Sequence, residues 1–305
     1  MAQTSAAIIY NPNSGRPRSR DEALRQMTQL LGDRGVAAEA RPTTGPNHAS
    51  HLAEEAVRSG VDIVISYGGD GTLNEVIQGM IGSNTRLAIW PGGTANVAAH
   101  DLRLPTKIES LATIISNGKT SRIAVGVATD MNHNASAESN GRRRYFFMFA
   151  GVGLDASICR GVNPRLKRVS GQFAFWASGF KHLFSWKAEP FVVDVDGVKY
   201  EGAFALIGKG KSYGGGLPLT PHARLEDPWF EVLIVPPHQY NLRYFYDLLS
   251  CVYGNPVRAG MSLVKGRTIV ATSSANPWVE TDGELVGPLP MRFDVVPDAL
   301  SVVVP

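Results

Sequence analysis

Cysteine is scarce: only Cys159 and Cys251 occur in 305 residues. Neither has CxxC or metal-ligand spacing, so a disulfide framework is excluded and a reducing, cytoplasmic compartment is expected. Long apolar runs are missing too, and nothing approaches the ~20 residues a spanning helix needs. Met1 to Tyr10 lacks a basic start and turns strand-like too early to be expected as a secretory signal. Excess charge of one sign is also absent. With 30 Lys and Arg against 27 Asp and Glu, the balance is too mild to argue for nucleic acid as a partner. No solenoid-period repeat is present. These absences leave a globular chain, soluble or peripheral to a membrane, long enough for two domains with their own cores.

What is present centres on Asp62 to Glu75. The β-branched run Ile63-Val64-Ile65 reads as a buried strand, while Leu73, Val76, Ile77 and Met80 recur at helical spacing. Between them lies Gly68-Gly69-Asp70-Gly71-Thr72. Glycines allow close approach to the backbone, and free amides at a helix start favour an anion. Thr72 and Glu75 have capping-box spacing, which predicts a helix beginning at Thr72. A carboxylate beside a phosphate cradle repels its ligand unless a cation intervenes, so Asp70 implies Mg²⁺ on a nucleotide polyphosphate. The alternative is a plain turn whose Asp70 complements the helix dipole.

A second glycine loop, Pro91-Gly92-Gly93-Thr94-Ala95-Asn96, also follows a strand and precedes a helix. Strands alternating with helices predict a parallel sheet, with ligands beyond the strands' carboxyl ends. The turn Asn11-Pro12-Asn13-Ser14-Gly15 follows the first strand in the same way. From about Arg122 the pattern changes to β alternation, with a hairpin signal at Asp196-Gly197.

Gly68-Gly69-Asp70-Gly71-Thr72 resembles the nucleotide motif shared by NAD kinases, phosphofructokinases and the diacylglycerol kinase catalytic-domain family of lipid kinases. Asn-Pro-x-Ser-Gly at Asn11 and Pro-x-Gly-Thr-x-Asn at Pro91 resemble the lipid kinases in particular. The resemblance implies a Rossmann-like α/β domain over residues 1–124 and a mostly β, sandwich-like substrate domain over 125–290. Residues 291–305 would supply terminal strands, at least one returning to the first domain. It also implies an ATP site formed by Asn11, Pro12, Asn13, Ser14, Gly15, Arg16, Arg20, Thr43, Gly69, Asp70, Gly71, Thr72, Leu73, Asn74, Glu75, Thr94 and Asn96.

Thr281-Asp282-Gly283-Glu284 resembles the family's Asp-Gly-Glu, which makes Glu284 the expected proton acceptor, with Asp282 supporting it or exchanging that role. Asp70 joins them through Mg²⁺-ATP. Read without the family, the same residues are only a hairpin turn. Leu225 to Glu231 is similar to a family segment that holds a structural Mg²⁺, implying a carboxylate from Asp227 and carbonyls from Arg224 and Trp229. Three positions depart from the family. Val97 replaces an Asp found in many members, and Pro228 replaces a Gly. Lys209 replaces an Asn, removing an amide and offering a cation to a phosphate.

The function implied is phosphorylation of a lipid hydroxyl by Mg²⁺-ATP, with diacylglycerol as the leading acceptor and a membrane surface as the place of contact. A homo-oligomer stays open. Arg160, Arg165, Lys167 and Arg168, followed by Phe173, Phe175, Trp176, Phe180, Phe184 and Trp186, suit either an anionic lipid surface or a core helix. An NAD kinase-like activity and a catalytically impaired nucleotide- or lipid-binding regulator are the other readings.

Overall fold

A computed structural model describes residues 3–13, 17–132, 143–161, 186–213, 216–252 and 260–305. They divide into two compact units, Met1–Ala124 with Asp298–Pro305, and Val125–Pro297. Within the first unit the order is β1 (Thr4–Tyr10), α1 (Pro17–Gly32), β2 (Val36–Pro42), α2 (His48–Arg58), β3 (Ile63–Gly68), α3 (Asp70–Met80), β4 (Arg86–Pro91), α4 (Val97–Asp101) and α5 (Ile108–Asn117). The strands pair in parallel in the order β2-β1-β3-β4. Ser301 and Val302, near the end of β16 (Met291–Val303), extend the sheet beside Arg86 and Leu87.

A parallel sheet is covered on both faces, so its strands read as continuous apolar runs. Ala6–Ile9 and Ile63–Ile65 are accordingly all buried. One face sends Ala6, Ile8, Ile63, Ile65 and Ala88 against Leu24, Met27 and Leu31 of α1 and Leu111, Ala112 and Ile115 of α5. Each leucine, isoleucine or methionine among them contributes roughly 1.5–3 kcal/mol by leaving water. Helices α2 and α3 pack on each other and on β1 and β3. Gly79 permits their approach, because a Cβ there would overlap the Ser50 carbonyl.

The chain leaves β1 for β2 on one side and returns to β3 on the other. That reversal makes the carboxyl ends of β1 and β3 the switch point of the sheet, where ligands of such folds bind. Helix α3 begins at Asp70, two residues before the expected start, and its N-cap is Gly69 with no side-chain cap. The capping box does not form because the Glu75 carboxylate instead accepts the Ala49 N–H at 3.2 Å.

The second unit contains β5 (Thr120–Asp130), which begins in the first unit, then β6 (Arg143–Phe146), β7 (Phe149–Gly153), α6 (Leu154–Gly161), β8 (Phe191–Val195) and β9 (Val198–Gly202). There follow β10 (Phe204–Gly208), β11 (Phe230–Val235), α7 (Asn241–Val252), β12 (Ser262–Gly266), β13 (Thr268–Thr272), β14 (Trp278–Thr281) and β15 (Glu284–Pro288). Six strands form an antiparallel sheet ordered β12-β11-β10-β7-β14-β15. The first part of β16, with β13, β8 and β9, forms a second antiparallel layer.

Alternating residues from both layers fill the space between them: Val152, Ile207, Phe230 and Val279 from one side, Phe146, Val193, Ile269, Met291 and Phe293 from the other. This is the β-sandwich expected for the second half. Residues 133–142 lie outside the described residues. So do Arg165, Lys167, Arg168 and the aromatic stretch Phe173 to Phe184.

Candidate active-site elements

In the first unit the two glycine loops touch backbone to backbone. The Gly92 N–H donates to the Gly68 carbonyl at 2.8 Å. A Cβ on Gly93 would stand 2.5 Å from the Cα of Gly69. Side chains at these positions would force the loops apart, so glycine is a geometric requirement here. The ring of Tyr67 stacks on Trp90 with centroids 3.8 Å apart beneath the loops, and Gly92 leaves room for it.

Ser66, Gly68, Gly69, Asp70, Leu73, Ile89, Asn96, Ala98 and Ala99 line a recess of about 200 Å³. The first amides of α3 have no partner within the helix and carry the positive end of its dipole, which favours an anion.

Asp70 Oδ1 accepts the N–H of Val97 at 2.9 Å. Asp70 therefore fastens the start of α4 as well as lining the recess. Asn96 is left-handed (φ 46°) and closes its loop on Gly93, accepting its N–H at 2.9 Å and donating to its carbonyl at 2.8 Å. Thr94 and Gly71 are exposed, while Leu73 and Asn74 are buried on the inner side of α3. Thr72 packs over Gly68.

At the switch point, Asn11 Oδ1 accepts the Asn13 N–H at 2.8 Å, and the Pro12 carbonyl accepts from Arg20. Arg20 also lies 5.8 Å from the Tyr10 ring centroid and pairs with Asp21 at 3.1 Å. Tyr10, Tyr67 and Trp90 sit side by side in register across β1, β3 and β4. Burial pushes the Tyr67 hydroxyl above its ordinary value, with the Arg20 charge opposing. Thr43 is buried at the end of β2, its N–H donating to the Tyr10 carbonyl at 2.8 Å. Ser14, Gly15 and Arg16 lie outside the described residues.

In the second unit the Asp282-Gly283 turn is left-handed at both residues, with φ of 48° and 84°. The Asp282 carboxylate is no bystander of the hairpin. It accepts three consecutive backbone amides, from Phe147 at 2.7 Å and from Met148 and Phe149 at 3.0 Å each. These bonds hold the bend between β6 and β7. Glu284 pairs with Arg144 and is partly exposed. Of the two carboxylates, Asp282 is committed to the backbone, whereas Glu284 retains access to solvent.

Reading the sequence did not single out the group beneath this turn. Glu280 is fully enclosed, and its Oε2 accepts the Gly283 N–H at 2.6 Å. Asp155 of α6 accepts from the Tyr213 hydroxyl. A Cβ on Gly151 would lie 2.7 Å from the Glu280 carboxylate. Burial first, then the charge and hydrogen bond of Asp155, hold the Glu280 pKa well above the usual carboxylate range, against the Gly283 amide. Burial and Asp155 likewise push Tyr213 up. The only signal in the sequence was Glu280 itself, a charged residue inside a strand whose neighbours are apolar or small.

The expected structural Mg²⁺ ligands, Arg224, Asp227 and Trp229, do come together. Their three main-chain carbonyls converge on the Nζ of Lys209, at 3.4 Å for Arg224, 3.2 Å for Trp229, and in contact for Asp227. Lys209 is 0 % exposed, so it meets no phosphate. Burial draws its pKa down to about 8, with the Asp227 and Glu226 charges opposing. It thus remains an ammonium at neutral pH. An ammonium and a divalent cation cannot share this focus of carbonyls, and the residues present do not fit a metal. Among the described residues no cluster of His, Cys, Asp or Glu offers another metal site.

Residues 5–128 match the family model of the diacylglycerol kinase catalytic domain, and residues 149–304 match the YegS C-terminal NAD kinase beta sandwich-like domain. A diacylglycerol kinase of Staphylococcus epidermidis is 30% identical over 294 residues, spanning 94% of this chain and 88% of the relative. One from Staphylococcus aureus is 29% identical over the same shares. A crystal structure of a diacylglycerol kinase from Bacillus anthracis str. Sterne superimposes with a TM-score of 0.76 at 22% identity, covering 99% of this chain and 97% of that one. A second structure from that organism gives 0.81, also at 22%, over 100% and 97%. Among the described residues no helix is long and apolar enough to cross a membrane. With both halves matched in order and a 30%-identical relative along almost the whole length, the chain belongs to the diacylglycerol kinase catalytic-domain family of lipid kinases.

Proposed function

We propose that this kinase transfers the γ-phosphate of ATP, carried as its Mg²⁺ complex, to the hydroxyl of a lipid, with diacylglycerol as the leading acceptor. The observation that carries the reading is the contact of two glycine loops at an uncapped helix start, with Asp70 lining the recess they enclose. Phosphoryl transfer asks a protein mainly to position groups and neutralise charge. The amides at the start of α3 would hold phosphate oxygens, and Asp70 would face the nucleotide's metal ion. Arg20 would add positive charge beside the Asn11 turn.

In the transfer, the lipid hydroxyl oxygen forms a bond to the γ-phosphorus and the bond from that phosphorus to the β-phosphate oxygen breaks. ADP leaves, and the hydroxyl proton passes to a carboxylate. Glu284 is that acceptor in this reading, because Asp282 has its oxygens engaged by three amides. Arg144 would orient Glu284. The acceptor's acyl chains stay in the bilayer, so the partner is a membrane surface that the kinase meets peripherally.

The test is incubation with γ-labelled ATP and Mg²⁺, offering diacylglycerol in mixed micelles in one arm and NAD in another. Label in the organic phase supports the proposal. Label in the dinucleotide would replace it with an NAD kinase activity, and nucleotide binding without transfer would replace it with a regulatory role.

A further inference from the structure

We propose that the buried ammonium of Lys209 is a covalently tethered replacement for a structural divalent cation, so that the turn Arg224–Trp229 is held without any bound metal. The proposal goes beyond the phosphoryl-transfer reading and does not depend on it.

The stoichiometry is matched. An ammonium has three N–H donors and no acceptor, and three carbonyls, of Arg224, Asp227 and Trp229, meet it. A Mg²⁺ ion would instead need near-octahedral oxygens at about 2.0–2.1 Å, and Ca²⁺ six to eight at about 2.3–2.6 Å. The position such an ion would take relative to these carbonyls is filled by Nζ, which reaches it from the residue that follows β10. Acidic side chains at Glu226 and Asp227 supply the compensating charge that a buried cation requires.

The turn is built to receive it. The Asp227 N–H donates to the Arg224 carbonyl at 3.1 Å, closing the turn from within. Pro228 has no N–H and a fixed φ, so it narrows the conformations between two of the carbonyls that accept from Lys209. A little further on, the Glu231 carboxylate accepts the His222 N–H at 2.8 Å and fastens the segment to the head of β11.

The cage is also tied to the Asp282 turn. The Lys209 N–H donates to the Met148 carbonyl at 2.8 Å, and the Met148 N–H donates to Asp282 at 3.0 Å. One residue, Met148, therefore links the residue that fills the carbonyl cage to the carboxylate at the bend between β6 and β7. A metal at this place can be lost to a chelator. A lysine cannot.

The experiment uses the full chain without nucleotide, melted in EDTA and in millimolar MgCl₂ or CaCl₂, beside the Lys209→Met variant. The wild-type melting temperature should differ by less than about 1 °C among these conditions. Lys209→Met should melt about 5–10 °C lower in all of them, because three carbonyls lose their shared donor and an apolar side chain takes its place. A wild-type protein that loses several degrees in EDTA and regains them with either ion would overturn the proposal. So would a Lys209→Met protein as stable as the wild type. Should that variant not fold, metal analysis of the dialysed wild type decides. Well under about 0.1 equivalent of Mg²⁺ or Ca²⁺ supports the tethered cation, and about one equivalent refutes it.

Discussion

Two Asp-Gly turns, at Asp196-Gly197 and Asp282-Gly283, join neighbouring antiparallel strands with nearly the same backbone. The first has φ of 48° then 93°, the second 48° then 84°. In both, the Asp carboxylate reaches outside its own hairpin to accept backbone amides. Asp196 takes those of Arg267 and Thr268 at 2.9 Å each, in exposed surroundings. Asp282 takes those of Phe147, Met148 and Phe149, all three buried. At the first turn Asp194 Oδ1 also accepts the Gly197 N–H at 2.7 Å, in exposed surroundings. Around the second stand Glu280, Asp155 and Tyr213, with Glu284 and Arg144 beside them. Turn chemistry alone does not separate a hairpin from a working site, and what separates these two is the set of buried acidic and hydroxyl groups, Glu280, Asp155 and Tyr213, gathered beneath one of them.

The widest gap between the turns should appear in turnover. Glu284 has no counterpart after Gly197, where Val198 stands. If Glu284 accepts the substrate's proton, Glu284→Gln should lower kcat by about 10²- to 10⁴-fold in the labelled-ATP assay. Its partly exposed pairing with Arg144 contributes only about 0–1 kcal/mol, so the melting temperature should hold within about 2–4 °C. Unchanged turnover would remove Glu284 from the chemistry and leave the two turns alike in function.

Next in size is stability. Asn tolerates the left-handed backbone, so Asp282→Asn tests the carboxylate rather than the turn. A neutral amide cannot accept all three amides as strongly, and hydrogen bonds to a charged group contribute about 1.5–3 kcal/mol each without adding fully. The expected loss is about 2–4 kcal/mol, seen as a melting temperature lower by roughly 5–12 °C. A variant melting with the wild type would mean that the bend at Phe147–Phe149 is held by packing alone.

The third difference is pH dependence. Burial and Asp155 hold the Glu280 pKa above its ordinary value, so the folded chain retains a proton that the unfolded chain releases. That contribution to stability is complete below the unfolded value of about 4.5 and declines as pH rises towards the raised folded value. The decline is at most about 1.4 kcal/mol per pH unit. Glu280→Gln should flatten the dependence of melting temperature on pH above about 4.5, bringing variant and wild type closer as pH rises. Parallel curves would show that Glu280 is already ionised in the folded chain.

These contrasts also mark what could be read from residues in order. The parallel sheet was legible because Ala6–Ile9 and Ile63–Ile65 are continuous apolar runs, and the sandwich because Asp-Gly pairs punctuate alternating strands. The glycine loops were legible because what they need, room for another backbone, is written locally at Gly68, Gly92 and Gly93. Partners brought together by tertiary pairing were not. Lys209 and the carbonyl residues Arg224, Asp227 and Trp229 could each be singled out, yet nothing local says that Nζ reaches those carbonyls rather than a phosphate. The capping box at Thr72 failed for a similar reason, since Glu75 finds the Ala49 amide on the neighbouring helix.

The smallest effect belongs to the outer turn and sharpens the comparison from its quiet side. Asp196→Asn keeps the left-handed residue and one acceptor oxygen, and the Arg267 and Thr268 amides it releases lie where water can replace the lost carboxylate. A hydrogen bond exchanged for one to water costs far less than a buried donor left without a partner. The expected loss is therefore at most about 1 kcal/mol, with turnover unchanged. A loss equal to that of Asp282→Asn would show that capping two exposed amides matters as much as capping three buried ones. The difference between the turns would then lie in the acidic groups Glu280, Asp155 and Glu284 alone.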